Sequence, residues 1–103
     1  MNIIIYAKNL DLAPGLIKQI EAKFNKLTKF SDRIISFRAD LSRDERHRTG
    51  QVYRVEVNLT IPDKMFRVVQ NEFDLETGVN KVRDKLARQI VDYKEKLLSK
   101  RGK

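Results

Sequence analysis

Lysine and arginine are concentrated in two stretches of the chain, where they could contact a polyanion. Residues 75–103 carry nine basic and four acidic side chains, and residues 14–30 carry four lysines and one glutamate. The two stretches account for the whole net charge of +8. Cationic side chains of this kind contact phosphates by charge without reading base edges, so they favour nucleic-acid binding. The main basic residues are Lys18, Lys23, Lys26 and Lys29 in the first stretch and Lys81, Arg83, Lys85, Arg88 and Lys96 in the second.

The later basic residues fall near one line along a helix, with Asp92 interrupting the line and Arg83 lying elsewhere. A solvated helix face usually mixes both signs of charge, whereas lysine predominates here. An anionic membrane surface is disfavoured as the partner, because the apolar stripes are needed for the core and no aromatic anchor flanks the basic face. We therefore expect a polyanion partner and no membrane partner.

Residues suited to catalysis or metal binding are scarce. His47 is the only histidine and there is no cysteine, so a typical zinc site cannot form. There is no glycine-rich loop to cradle a phosphate. Asp44 and Glu45 adjoin three arginines, which makes ion pairing or solvation a better explanation than acid–base chemistry. We predict that the chain is not an enzyme and uses no cofactor, metal or small-molecule substrate.

The elements that would position the basic residues follow from hydrophobic periodicity. A strand over residues 2–7 precedes a helix that Pro14 can start and that ends near Phe30. Period-two alternation then places Ile35, Phe37, Ala39 and Leu41 on one face of a second strand. A polar loop over 43–51 leads to a third strand, with Tyr53 to Ile61 pointing inward at every second residue. A fourth strand is predicted from about Met65 to Phe73. Two alternating sets of its residues compete for the buried face, and the pattern does not decide between them.

The last helix has the strongest periodic signal. Asp74 is a candidate N-cap, and apolar residues recur at spacings of three and four from Leu75 to Leu97. The helix is predicted to reach about Ser99, and about 100–103 form a frayed tail. The predicted fold is α+β, with order β-α-β-β-β-α and a four-stranded mixed sheet carrying both helices on one face. A chain of 103 residues fits a single domain over 1–103.

The two helix sequences resemble those of a known family. Asp84-Lys85-Leu86-Ala87-Arg88-Gln89-Ile90 and the following Tyr93-Lys94-Glu95-Lys96-Leu97 are similar to the last helix of bacterial ribosome hibernation factors, namely the hibernation promoting factor and the ribosome-associated inhibitor. Ala22-Lys23-Phe24-Asn25-Lys26-Leu27 is similar to their first helix, and the element order is the same. The chain best resembles the short form of the promoting factor, because it ends before a second domain or a long tail.

This resemblance implies a cytoplasmic protein that binds the small ribosomal subunit through 16S rRNA. Family members occupy the mRNA and tRNA channel, silence translation, and in some cases promote inactive ribosome dimers. The resemblance places RNA-binding positions at Lys23, Lys26, Lys29, Lys85 and Arg88, and the charge pattern adds Lys81 and Arg83. Asp74-Leu75-Glu76 lacks the tyrosine common in the family, which leaves local contacts open. A generic double-stranded-RNA-binding module is the alternative.

Overall fold

The computed structural model describes residues 2–44, 50 and 52–101, with side chains up to Leu98. Its elements are β1 (Ile3–Lys8), α1 (Pro14–Asn25), a 3-10 turn (Lys26–Lys29), β2 (Ser36–Arg43), β3 (Tyr53–Ile61), β4 (Lys64–Glu72) and α2 (Leu75–Arg101). This confirms the predicted order β-α-β-β-β-α. His47, Glu45 and the end of the predicted tail lie outside the described residues.

The strands form one mixed sheet in the order β1-β2-β3-β4. β1 runs parallel to β2, as the crossover through α1 requires, and the two later pairs are antiparallel. Pro62 and Asp63 make the tight turn between β3 and β4, with Asp63 in the left-handed region at φ 65°. The predicted sheet topology is confirmed.

Both helices pack on one face of the sheet, as predicted. The ring of Phe24 on α1 lies 4.8 Å from that of Phe37 on β2, and Phe66 on β4 meets Tyr93 on α2 edge to face at 5.9 Å. Gly78 sits where α2 crosses β3, since a Cβ there would lie 3.0 Å from Val55. The helices and the sheet therefore share one hydrophobic core.

The helix starts match their predicted signals. Pro14 lies in the first turn of α1, where a missing N–H costs nothing. The carboxylate of Asp74 accepts hydrogen bonds from the backbone N–H and the hydroxyl of Thr77, both at 2.8 Å, so it caps α2. These two bonds lower the pKa of Asp74. The predicted first helix does not stay α-helical to Phe30, because its last turn tightens into the 3-10 turn.

Burial differs from expectation at one residue, and it establishes which face of β4 points inward. Ile35 was expected on the buried face, but its side chain is 66% exposed. The strand alternation begins only at Ser36, so it does not determine the direction of the residue before it. In β4, Phe66 and Val68 point into the core, and Glu72 follows on the same face. Phe73 lies beyond the strand and is exposed.

The outer face of the sheet is solvated and held by ion pairs. Arg38 pairs with Asp40 at 3.0 Å, and Glu56 binds both Arg54 at 2.7 Å and Arg67 at 3.3 Å. Hydrogen bonds lower the pKa of Glu56 to about 2, and the bond from Arg67 has a larger effect than the one from Arg54. Glu56 on β3 thus ties that strand to β4 through Arg67.

We predict that Glu56 makes the fold sensitive to acid. Its folded pKa lies below the ordinary value of 4.5, so its stabilisation is complete above that pH and is lost as the pH falls toward about 2. The contribution is about 1–2 kcal/mol of unfolding free energy, because the side chains of Arg54 and Arg67 are partly exposed and solvent screens both ion pairs. Urea unfolding of Glu56→Gln at stepped pH should show a flatter profile than the wild type, while Glu95→Gln on exposed α2 should keep the wild-type slope.

Candidate nucleic-acid interface

The seven predicted RNA-binding residues are distributed over both flanks of α2. Glu76 contacts Lys23 of α1 at 3.1 Å, so this flank of α2 faces the first helix. Arg83 lies seven residues after Glu76 and, at about 100° per residue, on the same flank. Lys23 and Arg83 therefore border the boundary between the two helices, and Lys26 and Lys29 lie in the 3-10 turn that follows α1 and contacts α2. We call these four residues the seam group.

The other three residues, Lys81, Lys85 and Arg88, follow the opposite flank and outer face of α2, and we call them the β4-side row. Lys85 donates a hydrogen bond to Gln70 of β4 at 2.6 Å, and Lys81 binds Glu72 of the same strand. Arg88 follows Lys85 by three residues and is exposed. The sequence predicted this row, whereas its position beside β4 was set by the packing of α2.

Local ion pairs balance three of the seven charges. Lys23 binds Glu76 and Arg83 binds Asp84, both at 3.1 Å, and less than a quarter of each basic side chain is exposed. Lys81 binds Glu72, whose side chain is only 7% exposed. Lys23 joins the two helices, Arg83 pairs within α2, and Lys81 joins α2 to β4. Part of the charge of these three cations is therefore already compensated.

The buried end of β4 depends on the pair between Glu72 and Lys81. The hydrogen bond that Lys81 donates, helped by one of 3.0 Å from Gln70, holds the pKa of Glu72 below its ordinary value. Gln70 also accepts the bond from Lys85, so one polar chain joins both lysines to β4. Gln70 and Glu72 were not among the predicted site residues, because the pattern of β4 left open whether the set that contains Phe66 and Val68 faces inward.

Four predicted residues keep an uncompensated positive charge. Within the part of the chain that the structure describes, Lys26, Lys29 and Arg88 have no ion pair, and Lys85 bonds only to a neutral amide. All four are exposed. Lys26 and Lys29 lie in the 3-10 turn that contacts α2, and Lys85 and Arg88 lie on α2 itself, so all four belong to the part of the molecule that the helices form on one face of the sheet. This arrangement can hold phosphate groups through several separate charges.

The described residues offer little for other chemistry. They contain no group of three His, Cys, Asp or Glu side chains that could hold a metal ion. No helix among them is long and apolar enough to cross a membrane. The exposed cations make the helix side a charged contact surface.

A sequence model of the family described as Sigma 54 modulation protein / S30EA ribosomal protein matches residues 3–98. Two similar curated proteins are both named Ribosome hibernation promotion factor. The one from Deinococcus radiodurans is 24% identical over 94 residues, covering 91% of this chain and 49% of the relative. The one from Bacillus subtilis is 27% identical over 97 residues, covering 94% and 50%. The chain thus spans about half the length of these relatives.

Solved structures share the fold. The N-terminal domain of Protein Y from Thermus thermophilus has a TM-score of 0.78 at 22% identity, over 90% of this chain and 99% of that one. A ribosomal subunit interface protein from Coxiella burnetii has a TM-score of 0.80 at 20% identity, over 92% and 99%. Each of these similarities shows a shared fold.

Proposed function

The chain belongs to the family described as Sigma 54 modulation protein / S30EA ribosomal protein, and on this basis we propose that it binds ribosomes and keeps them inactive. The observation that carries the proposal is the set of four exposed, uncompensated cations on the helix side, namely Lys26, Lys29, Lys85 and Arg88. The names of the curated relatives, Ribosome hibernation promotion factor, support the same function.

The proposed partner is 16S rRNA of the small ribosomal subunit. Helix-borne cations contact phosphates without reading base edges, which suits folded RNA recognised by its shape. Charges placed on two flanks of α2 can reach phosphates of separate RNA strands that line a cleft. The channel that carries mRNA and tRNA is such a cleft, and we place the protein there, in the cytoplasm.

The proposed mechanism is occupancy. A rigid domain held in the channel by several phosphate contacts excludes mRNA and tRNA sterically, so translation stops without any chemical step. Because every contact is electrostatic, binding should weaken steeply as salt rises. The number of phosphates engaged sets that steepness, whereas the core sets only the stability of the domain.

A sucrose-gradient experiment with purified protein and ribosomes tests the proposal. The protein is expected to co-sediment with small subunits, to dissociate as salt is raised, and to inhibit cell-free translation at the same concentrations. The same gradient reports whether the protein shifts ribosomes into pairs, which we propose as a second consequence of binding. Failure to co-sediment at low salt would refute the proposal.

A filter-binding comparison addresses the alternative of a generic duplex-RNA module. The proposal predicts tighter binding to intact small subunits than to naked duplex RNA at physiological salt. Equal affinity for both would favour the generic module.

A further inference from the structure

A groove separates the C-terminal part of α2 from the edge strand β4. The helix runs back along β4, so that Lys81 meets Glu72, Lys85 meets Gln70 and Tyr93 meets Phe66 in turn. Polar bonds bridge the first two positions. Beyond them the gap opens into a groove of about 710 Å³, within the size range of sites for small molecules.

Positive side chains predominate in the walls of the groove. Lys64 and Arg67 on β4 and Lys96 on α2 line it, and Asp92 is the acidic residue among the described lining residues. Glu56 already binds Arg67 on the outer sheet face. Lys64 and Lys96 have no ion pair among the described residues, so their charges are available to an anion.

The interior of the groove is apolar and aromatic. Tyr93 is half-buried, with its ring edge-on to Phe66, and Leu97 is 41% exposed beside it. The ammonium group of Lys64 lies 5.8 Å from the centre of the Tyr93 ring. An aromatic and aliphatic surface rimmed by cations suits a planar base attached to a phosphate backbone.

We propose that this groove binds one unpaired nucleotide of the partner RNA, with its base against Tyr93 and Leu97 and its phosphates near Lys64 and Lys96. The identity of the partner as RNA rests on the proposed function. Asp92 can accept a hydrogen bond from an exocyclic amino group, so the groove favours cytosine over uracil. The helix side would then supply shape recognition, and the groove would supply recognition of a base.

The position of the groove favours RNA over an extended acidic peptide. The groove begins where the contact between Gln70 and Lys85 ends, so it continues the β4-side row. An RNA strand whose phosphates follow that row can enter the groove without changing direction. A peptide adding to the free edge of β4 would use its backbone instead, and we treat it as an outcome of the test.

The experiment measures binding of 12-nucleotide oligo(C) and oligo(U) by fluorescence anisotropy at one salt concentration. Lys64→Glu/Lys96→Glu is expected to weaken binding of oligo(C) at least tenfold. The control Lys18→Glu/Lys94→Glu makes the same charge change at exposed residues, with Lys94 on the opposite flank of α2 from Lys96, and should weaken it less than threefold. Asp92→Leu removes the acceptor and should bring the affinities for the two oligonucleotides together, from a wild-type preference of roughly fivefold for oligo(C).

Three results would overturn the groove proposal. They are equal losses in the two double variants, unchanged binding in Lys64→Glu/Lys96→Glu, and binding of an acidic peptide together with no binding of single-stranded RNA. Co-sedimentation of the wild type with ribosomes is measured in the same buffer. If it persists while the groove variants bind oligonucleotides normally, the groove proposal fails and the proposed function stands.

Discussion

Lys85→Glu/Arg88→Glu is expected to bind small ribosomal subunits about 50-fold more weakly than the wild type, since each phosphate contact near physiological salt is worth roughly five- to tenfold. Both side chains are exposed and neither is paired with an acid in the described residues, so the wild type offers their full charge to RNA. Reversing the two charges removes two phosphate contacts and adds repulsion between the new carboxylates and the RNA phosphates. The slope of log affinity against log salt should fall by about 2.

The control for this variant is Lys8→Glu/Arg33→Glu, which makes the same charge change at two exposed residues outside both basic stretches. It should keep most of the affinity and nearly all of the salt slope, and both variants should unfold at the urea concentration of the wild type. If both variants lost affinity equally, net charge alone would drive binding. Unchanged binding in Lys85→Glu/Arg88→Glu would remove the β4-side row from the mechanism.

Phe24→Ala is expected to lower the unfolding free energy by about 3–5 kcal/mol. The ring of Phe24 is fully buried and packs on Phe37, so its removal leaves a cavity between α1 and the sheet. For a domain of this size the loss corresponds to a fall in the melting temperature of roughly 15–30 °C. Since Phe24 lies next to Lys23 and just before the 3-10 turn, the cavity is also expected to loosen the part of the chain that carries Lys23, Lys26 and Lys29.

Thermal and urea unfolding measure this effect, with Leu98→Ala as the control. Leu98 is a large apolar residue that is 66% exposed, so its truncation should change stability by less than about 0.5 kcal/mol. A loss below 1 kcal/mol in Phe24→Ala would contradict the packing between α1 and the sheet. RNA binding of the folded fraction, measured below the melting transition, separates the loss of stability from the loss of seam-group contacts.

Much of the fold could be predicted because its elements carry regular hydrophobic periods. Val79, Val82, Leu86 and Ile90 recur at helical spacing and are all fully buried, and alternate residues of β3 are buried as predicted. In β4 the polar and apolar residues do not alternate cleanly, so period alone could not choose its inward face. The helix covering the sheet made that choice, because Phe66 and Val68 lie beneath Tyr93 and its neighbours.

The candidate site was predicted only as a set of charges. Composition and spacing identified the basic stretches, since the charge of lysine and arginine is a property of the residue type. Whether a given cation is available depends on residues distant in the chain. Lys23 is compensated by Glu76, 53 positions away, and Lys81 is compensated by a buried glutamate on β4.

The sequence by itself determined the order of elements, the core residues of α2 and β3, and the excess of positive charge on the two helices. These are local properties of period and residue type. Only the tertiary structure decided which charges are balanced, on which flank of α2 each basic residue lies, and that a groove opens beside β4. These properties depend on which side chains the packed helices and strands bring within a few ångströms of one another, and spacing along the chain does not specify those distances.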